Sequence, residues 1–314
     1  LSLYISCIPI FVAQKNSLQQ RTKAHLALLF TNIFFAINFT AVKQLINQGL
    51  VKPFGLNLLR VVISAVLLWT LFLFSKEKLQ VQKKHTGRFL LCALTGIAIN
   101  QLLFIKGLSL TYSIHASLLM LTTPILITVI ASWLLNESVT VYKIAGLVLG
   151  ISGALVLITA RESTGNPSQV LFGDILIILN AISYTFYFIL VRPLMKEYEP
   201  ISVVRIIFTT GFFMILPFCW NEFREIPWQN YTAVSYGLLA LIIIGGTFLA
   251  YIFNVYGIKI LGASIAGTYI YSQPVFAAAI AIIFLGEEIS LYKVIAALFI
   301  FSGVYLANKS NSNA

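Results

Sequence analysis

Seven polar side chains stand in stretches of this chain that are otherwise almost wholly apolar: Asn38, Asn100, Gln101, Tyr187, Asn254, Tyr269 and Gln273. Amides and phenols form hydrogen bonds without changing charge near neutral pH, so their chemistry is recognition and not proton transfer or nucleophilic attack. An amide facing hydrocarbon would be unsatisfied. These groups must therefore turn inward, toward another helix or a cavity. Asn32, Ser117, Asn180, Ser183 and Tyr251 belong to the same pattern. As a set they predict a polar cavity for a small zwitterionic or polar organic solute, because a bare ion calls for rings of carboxylates or carbonyls.

Two arginines share these stretches. Arg60 lies about two turns into one, and Arg205 lies within two turns of the start of another. Either could contact an anionic group of a solute, and either could instead snorkel or pair with a helix C-terminus. The ten acidic residues all fall in loops or close to the end of an apolar stretch, so no intramembrane carboxylate is expected to carry a proton or sodium. Asp174, the deepest, reads as the opening of a helix, where the macrodipole favours an anion by about 0.3–1 kcal/mol. His115 reads as an interfacial or hydrogen-bonded histidine at a helix end. Cys7, Cys92 and Cys219 have no paired spacing, and HExxH and paired acids are missing from the sequence. No metal, cofactor or enzymatic centre is expected.

The elements that must position these residues follow from composition. Of 314 residues, 59% are hydrophobic and only 10% charged, with a mean hydropathy of +0.92. Soluble domains carry about 25% charged residues. Runs of about 18 or more apolar residues read as membrane-crossing helices, and ten are found: 24–46, 54–74, 89–108, 113–135, 141–160, 171–191, 201–220, 231–256, 264–285 and 290–307. The third is interrupted by Asn100-Gln101 and the seventh by Arg205. Strands are excluded, because open sheets in lipid leave backbone groups unpaired and the alternating segments of a barrel are missing. The polar connectors are too short for a soluble domain.

The chain also repeats itself. In one ungapped register, Gly107 meets Gly257, Ala116 meets Ala266, Pro124 meets Pro274, Glu137 meets Glu287, Tyr142-Lys143 meets Tyr292-Lys293 and Ser152-Gly153 meets Ser302-Gly303. Pro124 and Pro274 each free a carbonyl four residues back, on Met120 and Ile270. Kinked helices at matching places of two halves point to a transport site or gate, and polar neighbours, Thr122-Thr123 and Ser272-Gln273, precede both prolines. Gly146, Gly150 and Gly153, with Ala296, Ala297, Ser302 and Gly303, mark the fifth and tenth runs as closely packed peripheral helices.

Lys and Arg orient the chain. With the N-terminus cytoplasmic, the inner sections hold about twice as many as the outer ones, so both termini are expected inside. Five runs per half is odd, so the second copy must enter the bilayer upside down. The expected fold is an all-α membrane protein of ten transmembrane helices, arranged as two inverted-topology repeats of five. Its parts are a cytoplasmic arm at 1–23, repeats at 24–160 and 161–308, and a cytoplasmic tail at 309–314. Leu1–Val12 is apolar but too short to cross, and it has no charged start or cleavage site of a signal peptide. The net charge of +11 sits beside the spans, where it serves insertion and anionic headgroups. Nucleic acid is not an expected partner; a small solute and the lipid bilayer are.

The ten runs, the sequence Ala36-Ile37-Asn38-Phe39-Thr40-Ala41-Val42-Lys43 closing the first, Arg60 early in the second, and the doubled spacing from Pro124 to Glu137 and Pro274 to Glu287 together form a pattern. It resembles the EamA-type permeases of the drug/metabolite transporter superfamily, over nearly all of residues 24–308. Phe35-Ala36 stands where the first span of that family often has Trp-Gly. The resemblance implies a bacterial inner-membrane permease that moves small metabolites, amino acids among them, by alternating access. A sugar-phosphate or nucleotide-sugar exchanger would share the architecture but should need several inward cations. A membrane-embedded enzyme is the non-transport alternative.

Overall fold

In the computed structural model, which describes residues 7–74, 81–134, 141–159 and 167–309, every extended element is a helix. Glu77, Glu137 and Glu162 lie outside the described residues, as does the tail beyond residue 309. The helices are α1 (Cys7–Asn47), α2 (Pro53–Leu73), α3 (Lys83–Leu110), α4 (Ser113–Met120), α5 (Thr122–Leu134), α6 (Val141–Thr159), α7 (Pro167–Glu197), α8 (Pro200–Arg224), α9 (Ala233–Leu261), α10 (Ala263–Thr268), α11 (Gln273–Leu285) and α12 (Leu291–Lys309). Among the described residues, 7 helical stretches are long and apolar enough to cross a membrane, and shorter apolar helices run over Ser113–Ile127, Ile144–Val156 and Leu291–Gly303. From Cys7 onward, α1 runs unbroken through the rest of the stretch expected as an arm.

Local chemistry sets the helix ends. Pro53 and Pro200 stand in the first turns of α2 and α8, where the missing N–H is harmless and the fixed φ suits a helix. The Thr232 hydroxyl caps α9 by accepting from the Ser235 N–H at 3.3 Å. Gly286 ends α11 in the left-handed region, φ +65°, which a side chain rarely tolerates. That turn places Glu287 directly against the rest of the bundle.

The two prolines break their helices alike. α4 and α5 part at Leu121, and α10 and α11 are joined by a tight turn over Tyr269–Ser272. In each case the hydroxyl two residues before proline repairs the frayed end. Thr122 donates to the Leu119 carbonyl at 2.7 Å, and Ser272 donates to the Tyr269 carbonyl at 2.7 Å. The third apolar run, by contrast, is not broken at Asn100-Gln101. Its irregularity is a π-helical stretch, Leu94–Ala98, and α9 has a longer one at Leu241–Leu249.

Packing pairs α6 with α12, α2 with α8, α3 with α7, and α1 with both α9 and α11. Several close approaches recur at the spacing of the sequence repeat. A Cβ on Gly107 would come within about 3 Å of Ile177, and one on Gly257 within 2.4 Å of Leu28. A Cβ on Gly153 would meet the Ala296 carbonyl at 2.8 Å, and one on Gly303 the Gly146 carbonyl at 2.6 Å. Small residues thus let backbones touch where lipid supplies no hydrophobic drive for association.

Candidate functional site

A cavity of about 60 Å³ lies among α1, α2, α3, α4, α7, α9 and the broken segment before α11. Asn38, Arg60, Asn100, Gln101, Asn180, Tyr184, Tyr251 and Gln273 supply its polar lining, and Phe35, Phe39, Phe104, Met120 and Ile270 the apolar remainder. Since one water needs roughly 10–15 Å³ by this measure, there is room for about four to six. The walls must part for any larger solute.

The π-helical stretches shape this space. A Cβ on Gly96 would fall 2.4 Å from the Tyr187 ring, and one on Gly246 would fall 2.8 Å from Asn38 Oδ1. Only glycine admits α7 and α1 so closely there. In the α9 stretch the Thr247 hydroxyl donates to the Ile242 carbonyl at 2.9 Å and accepts from Arg60 Nε at 2.8 Å. Such bulges recur at functional sites because they redirect side chains within a helix.

Hydrogen bonds fix the orientation of the lining amides. Gln101 Nε2 donates to the Tyr251 hydroxyl at 3.1 Å, which donates to the Gly96 carbonyl at 3.2 Å. Asn180 Nδ2 donates to the Asn100 carbonyl at 2.7 Å, and Asn100 Nδ2 returns a bond to the Asn180 carbonyl at 3.4 Å. Gln273 Nε2 donates to Asn32 Oδ1 at 2.6 Å. Four buried polar atoms of the lining are left without a partner: Asn38 Oδ1, Gln101 Oε1, Asn180 Oδ1 and Arg60 Nη1. An orphaned buried acceptor costs about 1–3 kcal/mol, and a buried unpaired charge costs several more. A centre built this way is incomplete without something polar in it.

Over residues 22–159 and again over 171–309, the sequence matches the model of the EamA-like transporter family. The chain belongs to that family. It is a multi-pass membrane transporter of the drug/metabolite transporter superfamily. Similar proteins include the uncharacterized transporter YoaV of Bacillus subtilis, 27% identical over 90% of this chain and 96% of its own. An uncharacterized transporter of Archaeoglobus fulgidus is 23% identical over 91% and 97%, and the WAT1-related protein At3g53210 of Arabidopsis thaliana is 24% identical over 93% and 86%. A solved crystal structure superposes with a TM-score of 0.61 at 18% identity, covering 95% of this chain and 98% of the other, and shares the fold.

The remaining expected site residues of this transporter lie outside the cavity lining. Tyr187 lies behind the wall, stacked on Tyr184 at 5.9 Å, and Asn254 donates to the Tyr184 hydroxyl at 2.9 Å. Tyr269 meets the middle of α1, with its hydroxyl 2.7 Å from His25 Nδ1. Pro274 follows Gln273 at the cavity edge, while Pro124 stands one turn beyond Met120. Arg205 is away from the cavity, between α2 and α8, under the Phe72 ring at 3.6 Å and bonded to Ser202. Asn180, Tyr184 and Tyr251 complete the lining. The repeat carried a signal for Tyr251, which stands at the position equivalent to Gln101, 150 residues on, and bonds it across the cavity.

One expectation is corrected. Asp174 does not open a helix, since α7 begins at Pro167 and buries it about two turns in. His115, in the first turn of α4, is hydrogen-bonded, as expected of a histidine at a helix end. Its Nδ1 lies 3.1 Å from Asp174 Oδ2, both side chains are almost fully buried, and Thr111 donates to the other carboxylate oxygen. Sequence position underestimated their depth because the turn at Thr111 folds α4 back against α7.

These groups belong to a polar closure at the end of the bundle where α1 finishes. The Glu287 carboxylate accepts from the first N–H groups of α4, Ser113 at 2.8 Å and Ile114 at 3.1 Å. Glu222 does the same for α2, accepting from Phe54 at 2.6 Å and Gly55 at 3.2 Å. Lys43 donates to the Thr111 and Leu108 carbonyls. Outside the spans, Lys52 pairs with Glu225, and this hydrogen bond holds the Lys52 ammonium above its ordinary pKa. At the opposite end Lys259 pairs with Glu199 at 2.7 Å, and His85 meets the Tyr198 hydroxyl at 2.8 Å.

Proposed function

We propose that this transporter is a permease for small polar metabolites, amino acids or related compounds, which it exports or exchanges by alternating access. The reading includes ten transmembrane helices as two inverted repeats, with both termini cytoplasmic in a bacterial inner membrane. The observation that carries it is the cavity itself, bounded by helices from both stretches matching the family model and lined by buried amides with free hydrogen-bonding atoms. The recurrence of close contacts at the repeat spacing supports the duplicated architecture. With the termini inside, the end latched by Glu287 and Glu222 is the outer one, and the helices broken near Pro124 and Pro274 are the elements that move. A sugar-phosphate exchanger is disfavoured, because Arg60 is the one cationic side chain in the described lining.

The test is purified protein in liposomes preloaded with labelled amino acids. Efflux that is lost in Asn38→Leu or Gln273→Leu supports the reading. Failure of every amino acid on the panel to move, with sugar phosphates exchanging instead, rejects it.

A further inference from the structure

Three facts about the cavity bear on the shape of its solute. Arg60 is buried, its Nε is committed to Thr247, its Nη1 is unpartnered, and no described carboxylate lies within ion-pair distance. The neighbouring free atoms are all amide oxygens, on Asn38, Gln101 and Asn180. Two of these cannot simply be turned round, since flipping Gln101 would forfeit its donation to Tyr251 and flipping Asn180 its donation to Asn100. The rest of the wall is largely aromatic and aliphatic.

From this we infer that the cavity recognises one zwitterion, an α-amino acid with a neutral apolar side chain. Arg60 anchors its carboxylate, and the oxygens of Asn38, Gln101 and Asn180 accept from its ammonium. The inference rests on the permease reading and sharpens it. A guanidinium matches a carboxylate with parallel N–H donors, while three carbonyl-type acceptors match the three N–H bonds of an ammonium. A simple cation would meet Arg60 and be repelled. A phosphate dianion would find one cation where it needs two, and it would face three further acceptors. A second charge on the side chain would have to enter the apolar part of the wall unpaired.

The experiment uses the full chain, purified and in liposomes, with L-leucine as the probe. Leucinamide lacks the carboxylate, N-acetyl-leucine lacks the ammonium, and L-glutamate and glycerol phosphate carry the wrong charge. Leucine should raise the melting temperature and exchange across the membrane, with each of the other four binding at least tenfold more weakly. Arg60→Gln should abolish the leucine response without lowering the melting temperature of the free protein, since it removes an unpaired buried charge. Arg60→Lys should weaken binding at least tenfold, and Gln101→Leu should do so while leaving Arg60 in place. Leucinamide or glycerol phosphate moving as well as leucine, or Arg60→Gln transporting leucine normally, overturns the inference while leaving a permease. No solute moving at all would instead reject the permease reading beneath it.

Discussion

Replacing Glu287 by Gln tests whether the carboxylate on α4 is a latch. In the structure both oxygens of Glu287 are used, one on Ser113 N–H and one on Ile114 N–H. The glutamine keeps one acceptor and presents an amide that cannot serve the second N–H. The loss combines a helix-dipole contribution of about 0.3–1 kcal/mol with about 1–1.5 kcal/mol for exchanging a charge-assisted bond for a neutral one. A total near 2 kcal/mol shifts the balance between closed and open by about thirtyfold. The assay is the distance distribution between spin labels on Ser109 and Tyr292, which flank the latch, with Cys7, Cys92 and Cys219 replaced by Ala. The wild type should show one short distance and Glu287→Gln a second, longer population. Glu288→Gln is the control, because that side chain is exposed and its backbone carbonyl, not its carboxylate, holds Lys293. Identical distributions for wild type and Glu287→Gln, or an equal change in the control, would refute the latch.

Asp174→Ala should destabilise the protein by about 3–5 kcal/mol in thermal unfolding, because it leaves the buried His115 and Thr111 without that acceptor. Gly55→Ala should cost about 1–3 kcal/mol in the same measurement, since the new methyl would stand 2.7 Å from the Glu222 backbone carbonyl, which cannot swing away. Gly237→Ala, with nothing within 4 Å, should be neutral or stabilise by up to about 1 kcal/mol. Arg205→Gln should lower the melting temperature through loss of its contacts with Phe72 and Trp69 while leaving the transport KM unchanged.

The helices were legible because apolar run length is a nearly sufficient signal in a chain this hydrophobic. The run at 54–74 became α2 at Pro53–Leu73, and that at 141–160 became α6 at Val141–Thr159. The amides of the cavity were legible for a related reason: an uncharged polar group in lipid must face inward, so its type alone gives its direction. What the sequence left hidden depends on neighbours distant along the chain. Arg60 and Arg205 read alike, yet one ends on Thr247 with a free nitrogen and the other under an aromatic ring. The π-helical stretches were invisible because Gly96 and Gly246 look unremarkable in apolar runs. Asp174 reads as a helix opening in the sequence, and only the turn at Thr111, which brings His115 against it, shows its burial.

Those two glycines permit a last prediction. They stand 150 residues apart and do the same packing work, admitting a neighbouring helix against a π-helical stretch. What meets them differs. Gly96 receives the ring of Tyr187, whose face is locked by the Tyr184 stack, whereas Gly246 receives the amide of Asn38, which lines the cavity. A methyl at Gly96 therefore pushes on a rigid ring, and Gly96→Ala should act chiefly on stability, by about 1–3 kcal/mol. A methyl at Gly246 pushes on a short side chain that can yield only by moving along the cavity wall. Gly246→Ala should then raise the KM for the solute several-fold at a stability cost below about 1 kcal/mol. If both substitutions change stability and KM in the same proportion, the two halves contribute alike to binding, and the division of labour between a packing glycine and a site glycine is wrong.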